Sequence, residues 1–382
     1  PMFARIDDAP SGQVTRIVGG REAFRGSSGE EVPSARTLSI RCIRHLPILV
    51  RGNYVKRFIT AVSVAALAAT ALSGAVAAQD DMEKPNIAFL PGILDPFYQV
   101  MEQGILKAGE DFGIDIQVAQ YPDTWGTSAQ NPILDVLKGQ GNIDYLITAP
   151  VSNEEMIAPL QEALDQGTKI ITVDTFLGDG DYVNGPVTFP ISYIGSDNQE
   201  GGRIACQAIA DAIGGSGKVY IQNTNPDASS TADRSIGCRE VLDSYADIEI
   251  VAEEYNEDVE AIAVQQTDAV LQLHPDLAGI FGVNVFSAQG AATSVQNAGL
   301  GGEVQIAAYD ATQRAIELLN NGDVTMVLAQ KPADMGYLGV AFAMADAAGV
   351  TSLPKHVTTG FAIIDAENVD DPEYARFIYQ VD

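Results

Sequence analysis

Basic residues are scarce in this chain. Lysine and arginine together number 22 against 51 aspartates and glutamates, for a formal net charge of −29. Residues 1–78 hold ten of the basic residues and five of the acidic ones, so the remainder carries 12 positive against 46 negative charges, a net of −34. A surface of that sign repels nucleic acid and anionic lipid, and its plain consequence is solubility. Histidine is nearly missing: His274 and His356 are the only two after residue 78, and neither stands at zinc-ligand spacing. No metal site and no cofactor is therefore expected. Neither a serine–histidine nor a cysteine–histidine pair stands at the strand ends, which favours binding over covalent chemistry.

Long hydrophobic runs are also lacking, with one exception. Phe58–Leu72 is almost unbroken apolar sequence, preceded by Lys56-Arg57 and followed by the small residues Ser73–Ala78. This is the layout of a secretory signal, and it falls short of the ~20 residues of a membrane span. Cleavage is expected after Ala77 or Ala78, and no cysteine stands there to carry a lipid anchor. Residues 1–54 contain eight arginines, no lysine and no periodic apolar pattern. We read them as over-called upstream sequence with Val55 as the translation start; a genuine extension is the alternative. Of three cysteines, Cys206 and Cys238 remain after cleavage. They form either one disulfide, permitted in an exported chain, or two buried thiols.

What is present is a repeated event: a short apolar strand ends at a polar or aromatic residue. Asn86–Leu90 runs into Asp95, Phe97 and Tyr98, and Tyr145–Ile147 into Thr148. Lys169–Val173 ends at Asp174, Lys218–Ile221 at Gln222, and Gly279–Val283 at Asn284. Val304–Tyr309 ends at Asp310, and Thr325–Ala329 at Gln330. Helical periodicity between the strands fits Tyr98–Phe112, Asn131–Lys138, Asn153–Gln166, Gly201–Ala212, Arg234–Tyr245, Asp258–Leu273, Ser287–Ala298, Thr312–Asn320 and Ala333–Ala348. Alternation of this kind predicts βαβ units and largely parallel sheets. The count restarts at Asn86 and at Lys218, which predicts an α/β protein of two Rossmann-like doubly wound lobes. Ligands of such sheets bind beyond the carboxyl ends of the strands. Gly214–Lys218 lacks the first glycine of a phosphate loop and leads into a strand, so it reads as a turn. Asp179–Asn184 lacks calcium-loop spacing and reads as a solvated loop.

Seven strings occur in the order of a known family: Asn86–Gly104 (NIAFLPGILDPFYQVMEQG), Ile170–Thr175 (IITVDT), Gly195–Gly202 (GSDNQEGG), Ala232–Gly237 (ADRSIG), Phe281–Asn284 (FGVN), Ala307–Thr312 (AAYDAT) and Leu328–Pro332 (LAQKP). Over about residues 84–365 the chain resembles the ribose-binding group of periplasmic sugar-binding proteins. That resemblance implies a type I periplasmic binding protein fold, two lobes joined by a three-strand hinge and closing over one sugar. It implies residues 84–196 with 331–358 for one lobe and 197–330 with 359–382 for the other. The chain is expected to cross near Gly195–Asp197, Gln330–Pro332 and Val357–Gly360.

Residue by residue, the resemblance places Asp95, Phe97, Tyr98 and Asp174 at the ligand from the first lobe. Arg234, Asn284 and Asp310 come from the second, and Gln330 from a crossing. Carboxylates, amides and arginine suit hydroxyls that both donate and accept, and an aromatic ring suits the C–H face of a sugar. The plainer reading is that Asp95 caps a helix, Phe97 is core, Asp174 forms a turn and Arg234 makes a surface ion pair.

There are departures. Thr175 stands where many members have arginine. An aromatic expected after the strand near Val251–Tyr255 is not evident, and Asn256 or Asp258 takes its neighbourhood; Asn256 is carried as the candidate. The segment Gln120–Pro132 is long and contains Trp125, the only tryptophan and a candidate second stacking face. The implied partners are a monosaccharide or polyol and the membrane permease of an ABC importer, in the periplasm of a Gram-negative cell. A chemoreceptor is a further candidate partner; nucleic acid is not, and a monomer is expected. The rival functions are a sensory binding protein, and an acid/base hydrolase using Asp174 and Asp310.

Overall fold

The computed structural model describes residues 84–381; the stretch read as an export signal and the segment before it lie outside the described residues. β1 (Ile87–Leu90) is buried at every position. Ile87 and Phe89 pack with Met101 and Ile105 of α1 (Pro96–Phe112), whereas Ala88 and Leu90 pack with Leu134 and Leu137 of α2 (Thr127–Gln140). Alternate side chains thus enter separate cores, the behaviour of an interior strand in a parallel sheet with helices on both faces.

Around it form β2 (Ile116–Val118), β3 (Tyr145–Thr148), β4 (Lys169–Val173), β5 (Tyr193–Gly195) and β11 (His356–Thr358). Their order is β11-β5-β4-β3-β1-β2, with every pairing parallel. The second sheet contains β6 (Ser216–Asn223), β7 (Asp247–Tyr255), β8 (Leu277–Gly282), β9 (Gln305–Tyr309), β10 (Met326–Ala329) and β12 (Ala362–Asp365). Its order is β12-β10-β9-β8-β6-β7, and only β12 runs antiparallel. One face carries α4 (Asn198–Ala212) and α5 (Ser229–Leu242); the other carries α6 (Glu260–Leu273), α7 (Val285–Asn297) and α8 (Gln313–Asn321). The chain leaves the first sheet between β5 and α4. It returns after β10 into α9 (Pro332–Ala347), which packs on α1, and leaves again between β11 and β12.

Helix starts depart from the periodicity, each for a local reason. α2 begins at Thr127 and takes Pro132 into its body, because buried Gln130 is anchored at three points. Its Nε2 donates to Pro91 O (3.0 Å) and Ala149 O (2.8 Å), and its Oε1 accepts from Val151 N (3.2 Å). α3 (Ile157–Asp165) starts late, because Ser152 Oγ accepts from Glu155 N (3.1 Å) and Pro159 lacks the N–H of a longer helix. α5 starts at Ser229, so Arg234 lies in its second turn.

α4 and α5 touch through glycines. A Cβ on Gly202 would lie 2.0 Å from Arg234 O, and one on Gly237 would lie 1.9 Å from Gln199 O. The same contact is bridged by a disulfide between Cys206 and Cys238, with Cα atoms 5.0 Å apart and 32 residues of separation. Closing a loop of that length removes enough unfolded-chain entropy to stabilise the fold by about 4 kcal/mol. The Cys206→Ser/Cys238→Ser double variant should unfold at lower denaturant than the oxidised protein. Reductant should shift the wild type and leave the variant unmoved.

Candidate functional site

Between the carboxyl ends of the two sheets lies a narrow cavity of about 30 Å³, far tighter than the hundreds of Å³ of an open ligand site. Nine of the residues singled out in the sequence line it: Asp95, Phe97, Tyr98, Trp125, Asp174, Arg234, Asn284, Asp310 and Gln330. Thr224, Ala228, Ser230, Thr231 and Asp258 line it as well.

Thr175 and Asn256 do not line the cavity. Each is buried with its polar group committed elsewhere: Thr175 Oγ1 donates to Pro150 O (2.8 Å), and Asn256 Nδ2 donates to Ser287 Oγ (2.8 Å). Asn256 Oδ1 also accepts from Asp258 N (2.8 Å). That turn holds Asp258 at φ 61°. Asp258 is therefore outside the helix that periodicity assigned to it, and its side chain is free to reach the cavity. The signal available in the sequence was the turn-forming run Asn256-Glu257-Asp258 directly after a strand.

Left-handed backbone recurs at the carboxylates. Besides Asp258, Asp174 (φ 61°) and Asp310 (φ 71°) adopt it, leaving Glu257 (φ 53°) as the only other non-glycine residue to do so among those described. Such conformations are uncommon outside glycine, though aspartate tolerates them, and strain of this kind concentrates at functional positions. Here it turns each side chain at a strand tip toward the space between the sheets.

Each carboxylate is held by the protein through one oxygen. Asp95 Oδ1 accepts from Tyr98 N (2.8 Å), capping α1, so the capping role and the cavity position coincide. Asp174 Oδ2 accepts from the Tyr98 hydroxyl (2.7 Å), and Asp258 Oδ1 accepts from Asn284 Nδ2. The other oxygen of these three accepts nothing from the described residues. Asp310 Oδ1 accepts from Gln330 Nε2 (2.9 Å) and from the Tyr379 hydroxyl (2.9 Å). Tyr379, near the chain's end, also packs against Phe97, with ring centroids 6.3 Å apart.

Arg234 is the only cation lining the cavity. Its guanidinium stacks on Tyr309, 3.9 Å from the ring centroid, while Nε donates to Asn198 Oδ1 (2.9 Å) and Nη1 to Val283 O (2.8 Å). The Nη2 edge has no partner among the described residues. Trp125 Nε1 is likewise buried without one. No cluster among the described residues is arranged to hold a metal ion.

Four buried carboxylates beside one guanidinium are electrostatically costly. Burial pushes Asp174 up to about 6, against the lowering pull of Arg234 and the Tyr98 hydroxyl. Burial likewise pushes Asp258 up to about 6, opposed by its bond from Asn284 and assisted by Asp310 and Asp174. Asp95 is driven further above the ordinary range by burial and then by the charge of Asp258. Asp310 is raised by burial and eased by Arg234. The arrangement offers acceptor oxygens, one fixed forked donor and an aromatic face.

Fold and site together define a two-lobed solute-binding protein. Residues 87–350 match the family described as periplasmic binding protein domain, and the chain belongs to it. Among its relatives is a D-ribose/D-allose-binding protein of Pseudomonas aeruginosa, 26% identical over 297 residues that cover 76% of this chain and 90% of the relative. An ABC transporter solute-binding protein from Agrobacterium vitis, solved with α-D-tagatopyranose, is 38% identical, with a TM-score of 0.76 over 78% of this chain and all of that one. A counterpart from Actinobacillus succinogenes with bound D-allose is 27% identical, with a TM-score of 0.68 over 75% of this chain and all of that one.

The raised Asp258 has a thermodynamic consequence with a definite sign. Its unfolded form titrates near 3.8 and its folded form near 6, so the folded protein holds the extra proton between those values. The cost of the buried charge is absent below 3.8 and complete above about 6. Asp258→Asn should therefore raise the melting temperature of sugar-free protein at pH 7.5, by up to the order of 3 kcal/mol in stability. The gain should disappear near pH 4; a gain independent of pH would contradict the assignment.

Proposed function

We propose that this protein is the solute-binding component of an ABC importer, capturing a monosaccharide or related polyol between its lobes and passing it to a membrane permease in the periplasm. The observation that carries this reading is the convergence of unpaired polar edges on one enclosed space. The free oxygens of Asp95, Asp174 and Asp258, the Nη2 edge of Arg234 and the ring of Phe97 all meet there. Charged groups make the stronger hydrogen bonds to hydroxyls. The cavity is completed by residues of one chain, which supports a monomer as the working unit. The relatives' sugars, tagatose and allose among them, mark the chemical class and not the individual ligand.

A thermal-shift screen over pentoses, hexoses, ketohexoses and polyols should find stabilisation by ~2.7 kcal/mol at a hundredfold excess over Kd. The recovered sugar should be chemically unchanged; steady product formation would overturn the reading. Arg234→Ala should cost at least ~2 kcal/mol in affinity, since it strips fixed donors and leaves buried carboxylates without their cation. Wild-type affinity in calorimetry would contradict its place at the ligand.

Capture works by lobe closure in this proposal, driven by contacts that exist only when the lobes meet. Two direct bonds cross the cleft mouth: Phe176 N donates to Ser229 Oγ (3.0 Å), and Asn153 N to Asp227 O (3.3 Å). Ser229→Ala removes one acceptor and should speed sugar release by roughly threefold to tenfold, the range of one net hydrogen bond. Stopped-flow release measures this. Solution scattering with and without sugar should show a smaller radius of gyration in the loaded protein; identical profiles at saturation would remove closure from the mechanism.

A further inference from the structure

The four carboxylates of the cavity are not compensated equally. Arg234 is the foremost charge acting on both Asp174 and Asp310, and it eases each of them. On Asp95 the foremost charge is another carboxylate, Asp258, and no cation offsets it. These two residues come from opposite sides of the cleft. Asp95 follows β1 of the first sheet, and Asp258 stands between β7 of the second sheet and α6. Each is only 7% exposed. Each spends one oxygen on the protein and keeps one without a donor. Here two acceptor-only oxygens face a shared space, and the nearby buried Trp125 Nε1 is a donor that also lacks a partner.

We propose that Asp95 and Asp258 form a charge filter, one carboxylate from each lobe, that grips hydroxyl donors of a neutral sugar and rejects anionic sugars such as uronic acids, aldonic acids and sugar phosphates. The inference rests on the sugar-binding reading above and narrows it. A neutral sugar brings O–H donors to both free oxygens, and closure over it replaces water with charge-assisted bonds. An acid of the same shape brings a further negative charge into a cavity where four carboxylates already face a single guanidinium. Repulsion against unpaired buried charge is how a site excludes a near-isostere of its ligand. Asp174 and Asp310 supply less of this discrimination, because Arg234 offsets part of their charge.

Asparagine substitutions isolate the charge. Asparagine caps a helix as well as aspartate does, so Asp95→Asn keeps α1 intact. It also tolerates left-handed backbone, so Asp258→Asn keeps its turn. The experiment uses the mature protein at pH 7.5 and four sugar pairs: galactose with galacturonate, glucose with glucuronate, arabinose with arabinonate, and allose with allonate. Calorimetry on wild type should show at least one neutral member bound and its acid weaker by a hundredfold or more. Asp258→Asn, and independently Asp95→Asn, should shrink that ratio at least tenfold, by admitting the acid and by weakening the neutral sugar, which loses a charge-assisted acceptor. Circular dichroism confirms folding of each variant, and either variant alone suffices for the test. Equal affinity for both members of a pair in wild type, or an unchanged ratio in both folded variants, would overturn the filter while leaving sugar binding standing. Failure of every pair and of the wider sugar screen would instead remove the sugar-binding reading itself.

Discussion

One buried cation organises the site. Arg234 is placed in a dry interior where an unpaired guanidinium would be prohibitive, so everything around it is arranged to hold it. Tyr309 lies flat beneath it, Asn198 and the Val283 carbonyl take two of its N–H groups, and Asp174 and Asp310 supply opposite charge. Its backbone is positioned in turn by the glycine contact between α4 and α5 and by the Cys206–Cys238 bridge. The packing of two helices on the second sheet is thereby tied to the placement of one forked donor in the cavity.

The acidic side of the cavity depends on backbone geometry instead. Asp174, Asp258 and Asp310 all occupy left-handed conformations just beyond strand ends. Parallel strands end together, so residues that turn inward at those ends converge without a dedicated scaffold. The cost is a set of carboxylates whose charge burial disfavours, so that each is pushed above the ordinary carboxylate range. Stability is given up at the place where a ligand can restore it.

The same groups connect to the crossings between sheets. Ser196, after β5, donates to Gln330 Oε1 (2.7 Å), and Gln330, after β10, donates to Asp310. Tyr379 reaches Asp310 from the chain's end while its ring lies near Phe97 of α1. Asp310 thus faces the cavity while bonded to Gln330 and to Tyr379.

Much of this was legible in the sequence, for reasons that separate cleanly. Two-faced apolar strands alternating with amphipathic helices can bury their surface only as parallel sheets with helices on both sides, so the two doubly wound lobes followed from pattern alone. Polar residues at strand tips marked Asp95, Asp174, Asn284, Asp310 and Gln330, because in such sheets the tips face the ligand space. The positions of Asp258, Thr175 and Asn256 could not be read that way. Helical periodicity claimed Asp258 for α6, and only the turn built by the Asn256 side chain frees it; Thr175 is adjacent to a strand tip but is drawn away by the Pro150 carbonyl. Ser229, Ser230 and Thr231 precede the helix that periodicity begins at Arg234, yet they form the first turn of α5. Tyr379 gave no local signal, since the carboxylate its hydroxyl meets, Asp310, lies 69 residues away in the chain. Local pattern determined which elements form and which ends carry polar groups. The direction each of those groups faces was decided by competing hydrogen bonds between segments distant in sequence, and those exist only once the two sheets are assembled.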